Sequence, residues 1–412
     1  MRLYLLLLVC LPLLSRAQST NGLIAAYRFE SNLGDATGDA ANLGVAEGVV
    51  DYDCGVSGSG LLLQNPGDYV RIPGGASTNV NRLYDESDFT VSLNFKPIAG
   101  SGEQFLISKR DTACAFDGAY FSISYAPGLQ QLTAVLQEGN VRVELSHVIR
   151  NTSCWQTVTL ARERTRATLY LNGREVATEN TAALVNVSNT GDLLLGATAC
   201  GDVAGSTFRG LLDDVYLYDR ALATEEVRAL YPNSDRILTP DSQLFLGESL
   251  PVSVKSNCGT EFSWSPAADV ASPDVAEPTI TPTRAGRQTY VLSIGDELSS
   301  CVAIDSLTIR VIDPDSLDCR DVFLPKAFTP NGIGPEVNET FGISNPYAVG
   351  TLIAFDIFDR NGGKVFSTTD PFARWDGTFR GKPVNPGVVL WRLVYNCERE
   401  ETVRTGSVTI LR

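Results

Sequence analysis

Cysteine is the residue in this chain with the most covalent chemistry to offer. There are nine, beside a single histidine, His147. Cys10 falls in an N-terminal apolar run. The other eight form three groups: Cys54, Cys114, Cys154 and Cys200; then Cys258 and Cys301; then Cys319 and Cys397. An even set of cysteines implies disulfides where a chain is exported. No Cys-x-x-Cys pair occurs, which argues against a zinc site. The grouping predicts three modules, each closed on itself. Among the first four cysteines three connectivities are open. Cys319 precedes the first strand of the last module and Cys397 its final strand, so these two are expected to pair. A bridge closing a long loop stabilises by about 3–5 kcal/mol in the chain-entropy account.

Other reactive constellations are sparse. His147 lies in a stretch, Val143 to Ile149, that reads as a strand, and no oriented nucleophile accompanies it. Glycosidic cleavage needs two carboxyl groups about 5–10 Å apart. Asp213 and Asp214 are adjacent, and strand alternation would send them to opposite faces. No catalytic residue is assigned. Aromatic rings are a second route to sugar recognition, and Tyr120, Tyr125, Trp155, Tyr216 and Tyr218 are available. Trp155 follows a cysteine and begins a strand, so it reads as core. Tyr216 and Tyr218 alternate with Val215 and Leu217, so one set must face outward or into a second layer.

The elements that would position these residues are strands. Gly 36 against Met 1 and His 1, with many short apolar alternations, indicates an all-β chain. Phe89, Val91, Leu93 and Phe95 share one face, with Thr90, Ser92 and Asn94 on the other. Residues 167–177 read as a hairpin, because Asn172-Gly173 accepts the positive φ angles of a type I′ turn. Thr224 is placed to cap a short helix carrying Glu225 and Glu226 in its first turn. Pro232-Asn233-Ser234 and Asp313-Pro314-Asp315-Ser316 mark boundaries. The resulting division is 18–231, 235–314 and 319–412, within the range of about two to four domains expected for this length. A net charge of −15 with no basic stripe excludes a nucleic-acid partner. Met1-Arg2, the apolar run Leu5 to Leu14, and Ser15-Arg16-Ala17 read as a signal peptide, residues 1–17. That run is too short to serve as a transmembrane anchor.

The C-terminal residues carry a resemblance. Phe323-Leu324-Pro325-Lys326-Ala327-Phe328-Thr329-Pro330-Asn331-Gly332 is followed by residues 355–366, FDIFDRNGGKVF. Then come Trp375-Asp376-Gly377-Thr378, Gly381-Lys382 and the ending Gly406 to Arg412. Together they resemble the type B C-terminal sorting domain of gliding-motility-associated Bacteroidetes surface proteins. The resemblance implies export by the type IX secretion machinery and display on, or release from, the outer surface of the cell. The family's acidic turn after Thr-Pro is altered, with Ile333 in place of its first acid.

Leu23 to Phe29, Asp68 to Pro73, Trp155 with the Leu169–Gly173 hairpin, and Gly210 to Leu222 resemble a concanavalin A-like jelly roll of the laminin G-like family. The resemblance implies a glycan or protein ligand, often with calcium at the sandwich edge. Asp35 is then the first candidate calcium ligand and Asp213 the second. The Glu-x-Asp-x-x-Glu strand of glycosidases on this scaffold is missing. Phe262-Ser263-Trp264-Ser265-Pro266, Thr289-Tyr290-Val291 and Cys301 resemble an Ig-like repeat, which implies a Cys258–Cys301 bridge. The expected architecture is a jelly-roll β-sandwich, an Ig-like sandwich as spacer, and a small C-terminal β-sandwich. The expected function is adhesion or binding at the cell surface, to a glycan or a surface protein. The alternatives are a carbohydrate-active enzyme (glycoside hydrolase or lyase) whose acids meet only in the fold, and a purely structural head.

Overall fold

The computed structural model describes residues 20–75, 80, 84, 88–150, 154–201, 203–298, 301–332 and 336–411. The expected signal peptide, and the Ile333–Pro335 part of the C-terminal turn, lie outside the described residues. The chain divides into two compact units. The first runs to Pro240 and includes Pro251–Thr279 and Tyr290–Leu307. The second comprises Asp241–Leu250, Ile280–Thr289 and Thr308–Arg412.

The first unit is built on a two-sheet sandwich. Its strands are β1 (Leu23–Tyr27), β2 (Val45–Glu47), β3 (Val50–Cys54), β4 (Ser59–Leu63) and β5 (Tyr69–Ile72). They continue as β6 (Phe89–Ala99), β7 (Gln104–Arg110), β8 (Tyr120–Ala126), β9 (Gln131–Glu138) and β10 (Val141–Val148). The last five are β11 (Gln156–Glu163), β12 (Arg166–Leu171), β13 (Arg174–Asn180), β14 (Leu193–Leu195) and β15 (Arg209–Tyr218). One sheet has the order β13-β12-β11-β6-β15-β4-β3, with β1 also paired to β15; the other is β10-β9-β8-β7-β14-β5-β2. Phe89, Val91, Leu93 and Phe95 of β6 point between the sheets and meet Phe121, Ile123, Leu193 and Leu195. Each such side chain contributes about 1.5–3 kcal/mol by leaving water. The turn between β12 and β13 has positive φ at both Asn172 and Gly173, as a type I′ hairpin requires.

The opposite face of β6 is also buried, for a different reason. Thr90, Ser92 and Asn94 are covered, and their polar atoms find partners on neighbouring segments. The Ser92 and Thr159 hydroxyls lie 2.8 Å apart, and Thr157 donates to Asn94 Oδ1. Farther along, helix α1 (Thr224–Leu230) packs Val227 with Tyr216, Tyr218, Tyr170 and Ala161. Val215 and Leu217 belong to the main core, so both alternation sets of β15 are buried, one in each layer. Thr224 does not cap α1. It is the first helical residue, and the Ala223 N–H donates instead to the Glu226 carboxylate at 3.0 Å.

Within the same unit, residues 251–279 and 290–307 add short strands: Val254–Lys255 pairs with Arg236–Ile237, and Glu261–Ser265 with residues 291–295. Trp155 is core as expected. It joins Val56, Leu62 and Leu211 in a cluster against which Ile98 and Leu298 pack. This contact decides the disulfides. The expected Cys258–Cys301 bridge does not form. Cys258 pairs with Cys54 and Cys301 with Cys154, at Cα separations of 5.5 and 5.7 Å. Both partners flank the outer face of the first sheet, where the apolar cluster seats this segment. Cys114 pairs with Cys200 inside the jelly roll.

The second unit carries a five-stranded sheet. Its strands are β16 (Ala327–Phe328), β17 (Thr351–Phe358), β18 (Lys364–Thr368), β19 (Gly387–Cys397) and β20 (Glu400–Ile410), in the order β16-β20-β19-β17-β18. Phe328, Phe341, Phe355, Trp375, Leu393 and Tyr395 fill one face. Trp375 Nε1 donates to the Thr378 carbonyl at 2.7 Å, which satisfies its single polar atom. Cys319 pairs with Cys397, and Tyr395 donates to the Cys319 carbonyl at 2.8 Å. Also in this unit, Ser242–Phe245 runs parallel to residues 309–312.

A candidate ligand-binding cleft

The irregularity that builds a site lies in β15. Asp213 pairs with Asn94 and Tyr216 with Ser92, so Asp214 and Val215 together face a single residue of β6. This is a bulge, and Asp214 takes a left-handed φ of 46° to make it. Bulges re-aim side chains and recur beside functional sites. The alternation that would separate the two acids is suspended here, a correction to the strand reading. Both address the loop after β3. Asp213 accepts from the Ser57 N–H at 3.3 Å, and Asp214 lines a cleft beside Ser57 and Gly58.

The two carboxyl groups sit in different surroundings. Asp213 has no solvent exposure. Burial, then the neighbouring Asp214 charge, pushes its pKa up to about 8, although N–H donors from Ser57, Asp214 and Val56 oppose the shift. Asp214 is also raised by burial, with the Tyr216 hydroxyl, donating at 2.6 Å, and the Arg28 charge pulling the other way.

The cleft has a volume of about 570 Å³ and opens to solvent. Arg28, Glu30, Asp214, Lys255 and Asn257 supply its polar lining, with Ser57 and Ser256 between them. Its walls come from the residues just after β1, from β15, the loop after β3, the end of α1 with the residues that follow it, and residues 255–257. The last of these are held against the jelly roll by the Cys54–Cys258 bridge. Asn257 Nδ2 donates to the Gly55 carbonyl at 2.6 Å, and Lys255 Nζ to the Pro232 carbonyl at 2.5 Å. Glu30 accepts from the Ser59 N–H at 3.1 Å. The cleft is thus a rigid array of donors and acceptors of both charges.

Asp35 lies elsewhere. Its carboxylate accepts from the Ala26 and Thr37 N–H groups, each at 2.9 Å, from the Thr37 hydroxyl at 2.7 Å and from Asn42 Nδ2 at 2.8 Å. It closes the loop after β1. The structure gives Asp35 and Asp213 no common partner, and N–H or O–H donors already face their oxygens. Among the described residues no group of three or more His, Cys, Asp or Glu side chains is disposed to hold a metal ion. The structure does not bring the two candidate calcium ligands together. Sequence reasoning missed Arg28, Glu30, Lys255 and Asn257. The Asp213-Asp214 doublet was the one visible signal, since two adjacent acids on a buried strand demand an irregularity.

Comparison with known proteins accords with this fold. Residues 64–228 match the family model described as the Concanavalin A-like lectin/glucanases superfamily. Residues 322–410 match the CHU_C Type IX secretion signal domain. No curated protein matches the chain. Among solved structures, the chain is similar to domain 4 of AbnA, a GH43 extracellular arabinanase from Geobacillus stearothermophilus, in complex with arabinotriose. That likeness has 20% identity, covers 51% of this chain and 98% of that one, and has a TM-score of 0.41. It is also similar to the Ruminococcus gnavus IT-sialidase CBM40, at 15% identity over 42% of this chain and 96% of that one, with a TM-score of 0.36. A SAP-like pentraxin from Limulus polyphemus matches at 21% identity over 35% and 69%, with a TM-score of 0.29. Among the described residues no helix is long and apolar enough to cross a membrane. The chain carries a concanavalin A-like domain and, near its C-terminal end, a type IX secretion signal domain that directs it to the cell surface.

Proposed function

We propose that the exported protein is a surface-displayed binding protein whose concanavalin A-like domain holds a glycan in the cleft beside Asp214. The observation that supports this reading is the lining itself. Arg28, Glu30, Lys255 and Asn257 present donors and acceptors of both charges on a wall braced by a disulfide. Polyhydroxylated ligands are recognised by such convergent polar groups, and bracing lowers the ordering cost of binding. The superfamily is named for lectins and glucanases, and the polar cleft suits the former role. A glycan array probed with the purified protein, beside Lys255→Ala and Glu30→Gln, tests it. Retained binding by both variants would remove the cleft from the account.

One observation favours a second reading, a carbohydrate-active enzyme. Glu30 and Asp214 line the same cleft, and Asp214 is raised towards the protonated form that a general acid needs. Release of reducing ends from polysaccharides, lost in Asp214→Asn, would establish hydrolysis.

A further inference from the structure

Lys96 lies on the outer face of β6 and is only 2% exposed, and its ammonium contacts the Asp296 carboxylate, itself 12% exposed. On one side the lysine stem lies beside apolar side chains. Its cross-strand partner is Leu211, which pairs in turn with Leu62. Both belong to the cluster with Val56 and Trp155, and Ile98 and Leu298 pack against it.

We propose that Lys96 and Asp296 are joined by an intramolecular amide that the folded protein forms by itself. Taking two charges out of water costs several kcal/mol per ion, which an ion pair recovers only in part. Condensation removes both charges at once. Holding an amine against a carboxyl in one geometry is worth an effective concentration of about 10⁵–10⁸ M. Proton transfer from the ammonium to the carboxylate gives a neutral amine and a carboxylic acid. The Lys96 Nζ lone pair then attacks Asp296 Cγ and the C–N bond forms. The proton shed by Nζ passes to the departing Asp296 hydroxyl, the C–O bond breaks, and water leaves. Ammonium plus carboxylate becomes amide plus water, so atoms and charge balance and no oxidant is required. A cleft of about 360 Å³ lined by Lys96, Asp296, Cys54 and Cys258 gives the water an exit. The result is a staple that reductants cannot open, placed beside a disulfide that they can.

The test is mass spectrometry of the exported full chain after reduction and denaturation. The expected mass is one water below that of the sequence, with a branched tryptic peptide linking the Lys96 and Asp296 segments. Lys96→Arg and Asp296→Ala return the full mass. A wild-type chain at full sequence mass with no branched peptide leaves a simple ion pair and overturns the proposal. Wild-type mass alone decides the bond if a variant fails to fold.

Discussion

The Asn257 side-chain amide donates to the Gly55 carbonyl at 2.6 Å, next to the bond between Cys54 and Cys258, whose residues are 204 apart in sequence. That contact joins the loop bearing Ser57 to the segment bearing Lys255. The cleft exists because residues remote in the chain are fastened at this point. A cleft assembled in this way has its shape set by covalent and hydrogen-bonded bracing more than by either segment's own preference.

Removing the brace should therefore cost stability and binding together. Cys54→Ser with Cys258→Ser is expected to lower the stability of the first unit by about 2–4 kcal/mol. Ligand affinity should fall as well. Thermal denaturation and glycan titration of the same preparation measure both. Unchanged affinity in a destabilised protein would separate the cleft from its brace.

Asn257→Ala removes two acceptors' partner without touching the disulfide, since Nδ2 reaches both the Gly55 and Gly58 carbonyls. A loss of about 1–3 kcal/mol is expected from leaving a part-buried carbonyl unsatisfied. Chemical denaturation reads it, and a change within error would show that water replaces the amide.

The acids of the bulge predict a pH dependence. Asp213 has a folded pKa of about 8, above its ordinary value, because burial and the Asp214 charge disfavour ionisation. The folded state then retains a proton that the unfolded chain releases, so stability falls as pH rises. The contribution is fully present below the ordinary carboxylate range and is lost by the time pH passes about 8. The slope is at most about 1.4 kcal/mol per pH unit for one group. Asp214 and Asp235 shift in the same direction and add to it. Melting curves across this window should flatten in Asp213→Asn.

Asp356 predicts the opposite trend for the second unit. Burial alone would raise it, but bonds from Ser367 and Lys364 and the charges of Lys364 and Arg392 hold it below the usual range. Its contribution is present above the ordinary carboxylate pKa and is lost as pH falls through the lowered value. Asp356→Asn should make the melting of this unit less sensitive to acid, and an unchanged acid limb would rule the cluster out as the cause.

Deleting residues 319–412 should abolish surface display, because the secretion signal spans 322–410. Fractionation with an antibody to the first unit locates the product. Surface display of the truncated chain would show that another segment is sufficient for export.

Local pattern alone made much of this architecture legible. The period-two runs of β6 predict which residues enter the core, because a strand's two faces are read directly from alternation. The Asn172-Gly173 turn follows from the left-handed φ angles those residues tolerate. The terminal motifs of the secretion domain are likewise contiguous in sequence, and its Cys319–Cys397 bridge closes within the same domain.

What tertiary packing decided was everything that depends on remote residues meeting. Spacing cannot say that Cys258 pairs with Cys54 and not with Cys301, because the pairing depends on packing against the apolar cluster of Val56, Leu62, Trp155 and Leu211. Alternation assigns Asp213 and Asp214 to opposite faces, and only a bulge opposite β6 turns both towards one loop. Arg28, Lys255 and Asn257 gather in one cleft although no motif links them. Strand propensity is a property of neighbours along the chain, whereas sites and crosslinks follow from which buried surfaces exclude water against each other.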